Sequence, residues 1–271
     1  MTLIVSLYLF VLGLICGSFA LALTDRIHTE KDFIKDRSRC DSCKKVLMPV
    51  DLIPVLSWLA FRGRCRRCRT QLSIAYPLTE LMTGVWFASS FLFWPHELNS
   101  ILTIAQFGLW LCALTLMASL LIYDLRWLLL PFKIVNPLIG ISVVYAAISL
   151  LVSDSSFLSG VIQLIFAGVV TYGLFKLMFT LSKGAWIGGG DVRLSIAMAL
   201  LTGSLLLAWL SVFASSIIGL LISVPVLLKN KNKPNKRKLK IPFGPALLLG
   251  LYVAVVFGER FVSWYEQLLV I

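Results

Sequence analysis

The sequence predicts an all-α polytopic membrane protein of about eight transmembrane helices with a small cytoplasmic loop domain. Three observations carry that reading. Hydrophobic residues make up 59% of the 271-residue chain and the mean hydropathy is +0.90, outside the soluble range. Apolar runs long enough to cross a bilayer recur along the whole length. The net charge of +12 is concentrated in two stretches rather than spread. Residues 24–76 hold 12 of the 25 Lys and Arg, and residues 229–240 hold 7 more.

The runs read in order as Leu3–Leu23, Leu78–Trp94, Ile101–Tyr123, Leu130–Val152 and Leu158–Leu181. After them come Leu194 to about Leu207, Ala208–Leu228 and Ile241–Phe257. Leu194–Leu228 is tight for two crossings, and Thr202-Gly203-Ser204 is the candidate turn between them. Met1-Thr2-Leu3 places no basic residue before the first run, so that run is expected to be a span and not a cleaved signal. The sequence shows no internal repeat.

Charge sets the orientation. A basic run such as Lys236-Arg237-Lys238 in a short loop between spans fits the positive-inside rule better than nucleic-acid binding. Both basic loops are then cytoplasmic and both termini outside. This division gives a first span at 1–23, a cytoplasmic loop domain at 24–76 and a helical bundle at 77–271.

The loop domain contains Cys40-Asp41-Ser42-Cys43 and Cys65-Arg66-Arg67-Cys68. Two residues between cysteines let both sulfurs turn onto one ion, and two such knuckles complete a tetrahedron. A cytoplasmic location argues against stable disulfides. Cys40, Cys43, Cys65 and Cys68 therefore read as ligands of a structural zinc, the alternative being four free or redox-active thiols. Four thiolates leave no open position for catalysis, and the neighbouring arginines and lysines offset their charge. The ion would fold a loop of about 50 residues, too small to build an adequate core unaided. Cys16 and Cys112 fall within spans and read as packing residues.

The bundle carries two aspartates next to apolar runs. Asp124 directly follows one run, and Asp191 follows three glycines, Gly188, Gly189 and Gly190, just before another. A carboxylate at the edge of hydrocarbon is costly and usually faces a polar cavity with a partner. The crossing count places both aspartates on the cytoplasmic face. Brought together, two carboxylates can activate water against a peptide bond, one as base and one as acid. The glycines would let a substrate strand approach bare backbone. The same residues also suit a plain turn and a helix cap. Glu80, near the start of the second span, reads as a surface cap or a partner for a lysine. His28 and His96 are isolated from any metal-like spacing.

The chain resembles the bacterial type IV prepilin peptidases, membrane aspartyl proteases with a G-x-G-D stretch. The resemblance lies in Gly17-Ser18-Phe19, in Arg39 through Cys68 with Asp51-Leu52-Ile53-Pro54, and in Tyr76-Pro77 with Glu80-Leu81. It continues through Gly188-Gly189-Gly190-Asp191-Val192-Arg193-Leu194 to Ile241-Pro242-Phe243-Gly244-Pro245. The resemblance implies that Asp124 and Asp191 are the catalytic pair and that the four cysteines hold zinc. It implies cleavage of leaders from prepilin or pseudopilin precursors at the cytoplasmic face of the bacterial inner membrane. It also implies methylation of the new N-terminus with S-adenosylmethionine.

Three departures stand out. Pro131-Phe132 stands where Pro-Asp is frequent, Arg193 where lysine is usual, and Ala20-Leu21-Ala22-Leu23 replaces an asparagine-containing stretch. The rival classes are an ion-coupled transporter using Asp124 and Asp191, and a non-enzymatic assembly protein docking through the metal loop. The first would place charges mid-span in broken helices.

Overall fold

A computed structural model describes residues 2–30, 38–40, 42–153, 156–229 and 242–269. The basic run Lys236-Arg237-Lys238, Asp41 of the first cysteine pair and Ile241 lie outside the described residues. Among the described residues the chain is helical, and the only extended pairings are two isolated bridges in the cysteine loop. The helices are α1 (Thr2–His28), α2 (Leu56–Ala60), α3 (Ala75–Leu92), α4 (Ile101–Trp127) and α5 (Phe132–Val152). They continue as α6 (Phe157–Gly168), α7 (Leu174–Ser182), α8 (Gly189–Thr202), α9 (Leu205–Lys229) and α10 (Gly244–Leu269). A π-turn, Val169–Gly173, joins α6 to α7 into one rod.

Six segments are long and apolar enough to cross a membrane: α1, α4, α5, the α6–α7 rod, α9 and α10. The other two expected spans correspond to α3 and α8. They fall outside that set, so the expected count of eight crossings is not established. At 14 residues and 1.5 Å per residue, α8 is about 21 Å long, short of a hydrocarbon core of about 30 Å. It is nevertheless a core element, with Leu194, Ala197 and Met198 fully buried. The turn before α9 falls at Gly203, whose φ of +65° ends α8 in the left-handed conformation that glycine adopts without strain.

The chain divides into two compact units that share α4. One comprises Met1–Leu92 with Leu114–Ile122, the other Phe93–Ala113 with Tyr123–Ile271. In the first unit, α1 and α3 run antiparallel at backbone contact. A Cβ on Gly13 would lie 2.7 Å from Gly84 Cα, and one on Gly17 2.8 Å from Glu80 Cα. Small residues at a crossing let membrane helices approach this closely. Thr24 Oγ1 donates to the Ser119 carbonyl, and Ser119 Oγ donates to that of Ala20, each at 3.3 Å. These bonds fasten α1 to the middle of α4.

In the second unit, α9 and α10 pack lengthwise. Gly250 makes this possible, since a Cβ there would meet Ser215 N at 2.5 Å and the Ser211 carbonyl at 2.8 Å. At one end of this unit Trp94, Phe107, Trp110 and Tyr252 form an aromatic stack.

Candidate active site and thiol cluster

Asp124 stands in the last turn of α4. Its carbonyl accepts the N–H of Leu128 at 2.9 Å, and Leu128 adopts the left-handed conformation (φ +56°) that stops the helix. The side chain is only 5% exposed. Asp124 Oδ2 accepts a hydrogen bond from the N–H of Gly244 at 3.0 Å. Gly244 is the first residue of α10, so the carboxylate takes one of the N–H groups that a helix leaves without an internal partner.

Asp191 is held in a related way. It lies in the first turn of α8, and its Oδ2 accepts the Gly188 N–H at 3.2 Å. This is one half of a capping box, the other half being impossible because Gly188 has no side chain. The cap role that the sequence left open is thus present. The three glycines are not one extended loop, however. Gly188 is extended (φ −72°, ψ 149°), whereas Gly189 and Gly190 already belong to α8. Asp191 lies within electrostatic reach of Asp124.

One residue that sequence reasoning passed over lies against both glycine contacts. Leu130, buried in the connection between α4 and α5, packs its Cβ against Gly190, where a Cβ would sit 2.8 Å away. Its Cδ2 would lie 3.3 Å from a Cβ on Gly244. Leu130 therefore wedges between the glycine beside Asp191 and the glycine that holds Asp124. Two residues on, the Phe132 ring lies beneath the Arg193 guanidinium, with Cζ 3.8 Å from the ring centroid. Gly244 and Arg193 were visible in sequence only as parts of longer motifs, and Leu130 carried no signal there at all.

The four cysteines meet. Sγ atoms of Cys40, Cys43, Cys65 and Cys68 all lie within 4.8 Å of one another, and Cys40 and Cys68 are 3.7 Å apart. A tetrahedral ion with bonds of about 2.3 Å to sulfur separates its ligands by about 3.8 Å, so this set fits a four-thiolate metal.

The two halves are built alike, a local repeat that the sequence reading did not register. Cys40 N–H donates to the Lys45 carbonyl and Lys44 N–H to that of Cys40. Cys65 N–H donates to the Thr70 carbonyl and Arg69 N–H to that of Cys65. Lys44 and Arg69 share a left-handed conformation, and each knuckle closes with a bridge, Arg39 to Val46 and Arg64 to Gln71. Hydrogen bonding to Thr70 favours the Cys68 thiolate and lowers its pKa to about 6. That is the form a metal binds.

Glu80 holds a backbone N–H at the start of α2. It is buried in α3, accepts the Val55 N–H at 2.7 Å and hydrogen-bonds Ser18 of α1.

The fold is that of a multi-pass helical membrane protein with a cluster of four thiols that could hold a metal ion. The chain belongs to the type IV leader peptidase family. Residues 11–94 match the bacterial peptidase A24 N-terminal domain and residues 107–224 the type IV leader peptidase family. The chain is 28% identical to a prepilin leader peptidase/N-methyltransferase of Bacillus subtilis, covering 96% of this chain and 97% of the relative. It is 30% identical to the enzyme of the same name from Stutzerimonas stutzeri, covering 85% and 75% of the two chains. It is 31% identical to a type 4 prepilin-like proteins leader peptide-processing enzyme of Escherichia coli, covering 79% and 73%. No solved structure matches.

Proposed function

We propose that this chain is an aspartyl endopeptidase that removes the leader from prepilin-like precursors, with Asp124 and Asp191 as its catalytic pair. The observation that carries the proposal is that Leu130 packs against both Gly190, next to Asp191, and Gly244, whose N–H bonds Asp124. The two carboxylates thus share one neighbourhood, each tied through one oxygen to a glycine N–H. Like charges this close disfavour double ionisation, so the pair works with one proton between them. The ionised carboxylate takes a proton from water. The resulting hydroxide attacks the scissile carbonyl carbon while the protonated partner donates to its oxygen. Collapse of the tetrahedral intermediate breaks the C–N bond as a proton passes to the amine. Gly188 and Gly189 are exposed and carry no side chain, so a substrate could approach Asp191 across them, which is what supports a substrate role for the glycine stretch. The Gly188 N–H and carbonyl are themselves taken by Asp191 and Val192.

The precursor, a protein with an apolar membrane segment, would meet the site at the cytoplasmic face of the inner membrane. The excess of Lys and Arg in the loops supports that orientation, with both termini outside. Division into a first span at 1–23, a thiol domain at 24–76 and a peptidase bundle at 77–271 is part of the same reading.

Cys40, Cys43, Cys65 and Cys68 would hold zinc. When bound, the ion supplies a rigid cross-link for the loop and no open coordination position. Methylation of the trimmed N-terminus, the second activity in the relatives' names, would draw its methyl group from S-adenosylmethionine. A cavity of about 250 Å³ lined by Ser204, Glu259, Ser263 and Glu266 does not suit the donor. It opens at the far end of α8, about 20 Å along the helix from Asp191. No residue is assigned to the donor.

The test is cleavage of a purified prepilin-like precursor by the wild-type protein and by Asp124→Asn and Asp191→Asn. Loss of cleavage in both variants is expected. Cleavage that survives in either overturns the aspartyl mechanism and revives the transporter and assembly-protein readings.

A further inference from the structure

The loop between α1 and α3 folds back onto that helix pair, and the contact that holds it there is the Val55 N–H donating to Glu80 Oε2. Gly17 and Glu80 lie side by side in the α1–α3 pair. Asp25, the first charged residue of α1, is eight residues beyond Gly17 and so about 12 Å further along the helix. The apolar run of α1 from Leu3 to Leu23 is itself about 31 Å long, one hydrocarbon thickness. Glu80 is thus level with a point about 9 Å inside the Leu23 end of that run. A helical side chain leans toward its helix's N-terminus, here the end beside Leu23. A glutamate reach of about 5 Å then places Val55, bonded at 2.7 Å, just inside the edge of the apolar slab. Val55 holds a positive φ of 60°, an unfavourable conformation for a β-branched residue, and the bond to the buried carboxylate retains it there.

What Val55 opens is the short helix α2, whose Leu56 and Leu59 lie on one face and are 65% and 58% exposed. The preceding turn, Pro49–Leu52, adds exposed Val50, Leu52 and Ile53. The surrounding loop is strongly cationic. Lys44, Lys45, Arg62, Arg64, Arg66 and Arg67 are all exposed, against two described acids, Glu30 and Asp51.

We propose that residues 49–60 form a re-entrant wedge whose apolar side chains insert among acyl chains beside α1 and α3, with the flanking cations on acidic phospholipid headgroups. Depth chooses the occupant. Apolar side chains held at the inner edge of the slab meet the first acyl carbons, while arginine and lysine stems reach back to the headgroups. The wedge would fix the height of the four-thiol cluster relative to the membrane surface.

The test is photocrosslinking of the full-length protein in vesicles of phosphatidylethanolamine and phosphatidylglycerol. Variants Leu56→p-benzoylphenylalanine and Leu59→p-benzoylphenylalanine are irradiated, with the same residue at Leu12, on the exposed side of α1, as the lipid-facing reference. Metal content and elution volume confirm the fold of each variant. Adducts carrying one phospholipid are expected at both positions, in yields within about threefold of the reference. Their phosphatidylglycerol share is expected to exceed that of the vesicle and to fall to it in Arg62→Gln/Lys45→Gln. Lipid yields at or below a tenth of the reference overturn the wedge, as do crosslinks to protein. Loss of the lipid adducts when a prepilin-like precursor is added would assign the face to that partner and overturn the proposal too. An unchanged phosphatidylglycerol share in the charge variant overturns the headgroup contact. None of these readouts depends on the peptidase reading.

Discussion

Asp124 Oδ2 accepts the Gly244 N–H at 3.0 Å, and a Cβ at position 244 would lie 2.6 Å from that same oxygen. The contact therefore requires both the backbone donor and the missing side chain. Gly244→Ala is expected to push the carboxylate aside while leaving α10 intact, since alanine favours the helix. Displacement of a catalytic group by about 1 Å costs on the order of a hundredfold in rate. Cleavage of a precursor should fall by that order in kcat, with the thermal unfolding midpoint in detergent little changed. Near-normal turnover would show that the Gly244 contact does not hold Asp124 in its working position.

The glycines before Asp191 are not equivalent. A Cβ on Gly190 would sit 2.8 Å from Leu130 Cβ, whereas one on Gly189 meets nothing closer than Phe179 at 3.9 Å. Gly190→Ala is expected to abolish cleavage. Gly189→Ala should keep it and raise stability by about 0.5–1 kcal/mol, because alanine in a helix loses less chain entropy than glycine. Leu130→Ala in the Gly190→Ala background removes the clashing side chain and should restore part of the activity. Equal losses at 189 and 190 would point instead to substrate contact along the whole stretch.

The Arg193 guanidinium stands over the Phe132 ring, a side-chain contact between the start of α5 and the first turn of α8 that carries Asp191. At an exposed site a cation–π pair contributes about 0.5–1 kcal/mol. Phe132→Leu and Arg193→Gln should each lower cleavage about two- to fivefold, and the double variant no further than either single one. Phe132→Trp should retain activity. Arg193→Lys should recover only part, because lysine cannot stack its charge as a plane. Additive losses in the double variant would mean that the pair does not act as one unit.

The helical class and the meeting of the four cysteines were legible because each leaves a local mark: an apolar run, a repeated spacing. What was illegible is long-range or backbone-borne. Leu130 is one leucine among many, and only its position between Gly190 and Gly244 gives it a role. The partner of Glu80 was hidden because hydropathy cannot see that Val55 folds back to it. The repeat of the two knuckles is written in hydrogen bonds at Lys44 and Arg69, not in similar side chains. The shortness of α8 was hidden by the apolar residues continuing past Gly203 into α9.

Two symmetrically built knuckles predict an all-or-none metal site. Each contributes two sulfurs, and the 3.7 Å separation of Cys40 and Cys68 links one knuckle to the other. Cys40→Ser and Cys65→Ser should each reduce bound zinc from about one per chain to below a tenth, since three thiolates and a hydroxyl do not replace the tetrahedron. Because binding requires deprotonated thiols, zinc should also be released on acidification. The aspartate pair draws none of its ligands or hydrogen bonds from this cluster. Stripped protein should therefore hydrolyse a soluble peptide spanning the cleavage site at a rate within about threefold of the zinc-loaded form. A parallel collapse of zinc content and peptide cleavage in Cys65→Ser would make the ion part of the peptidase centre, a role that four saturating thiolates leave no coordination position to support.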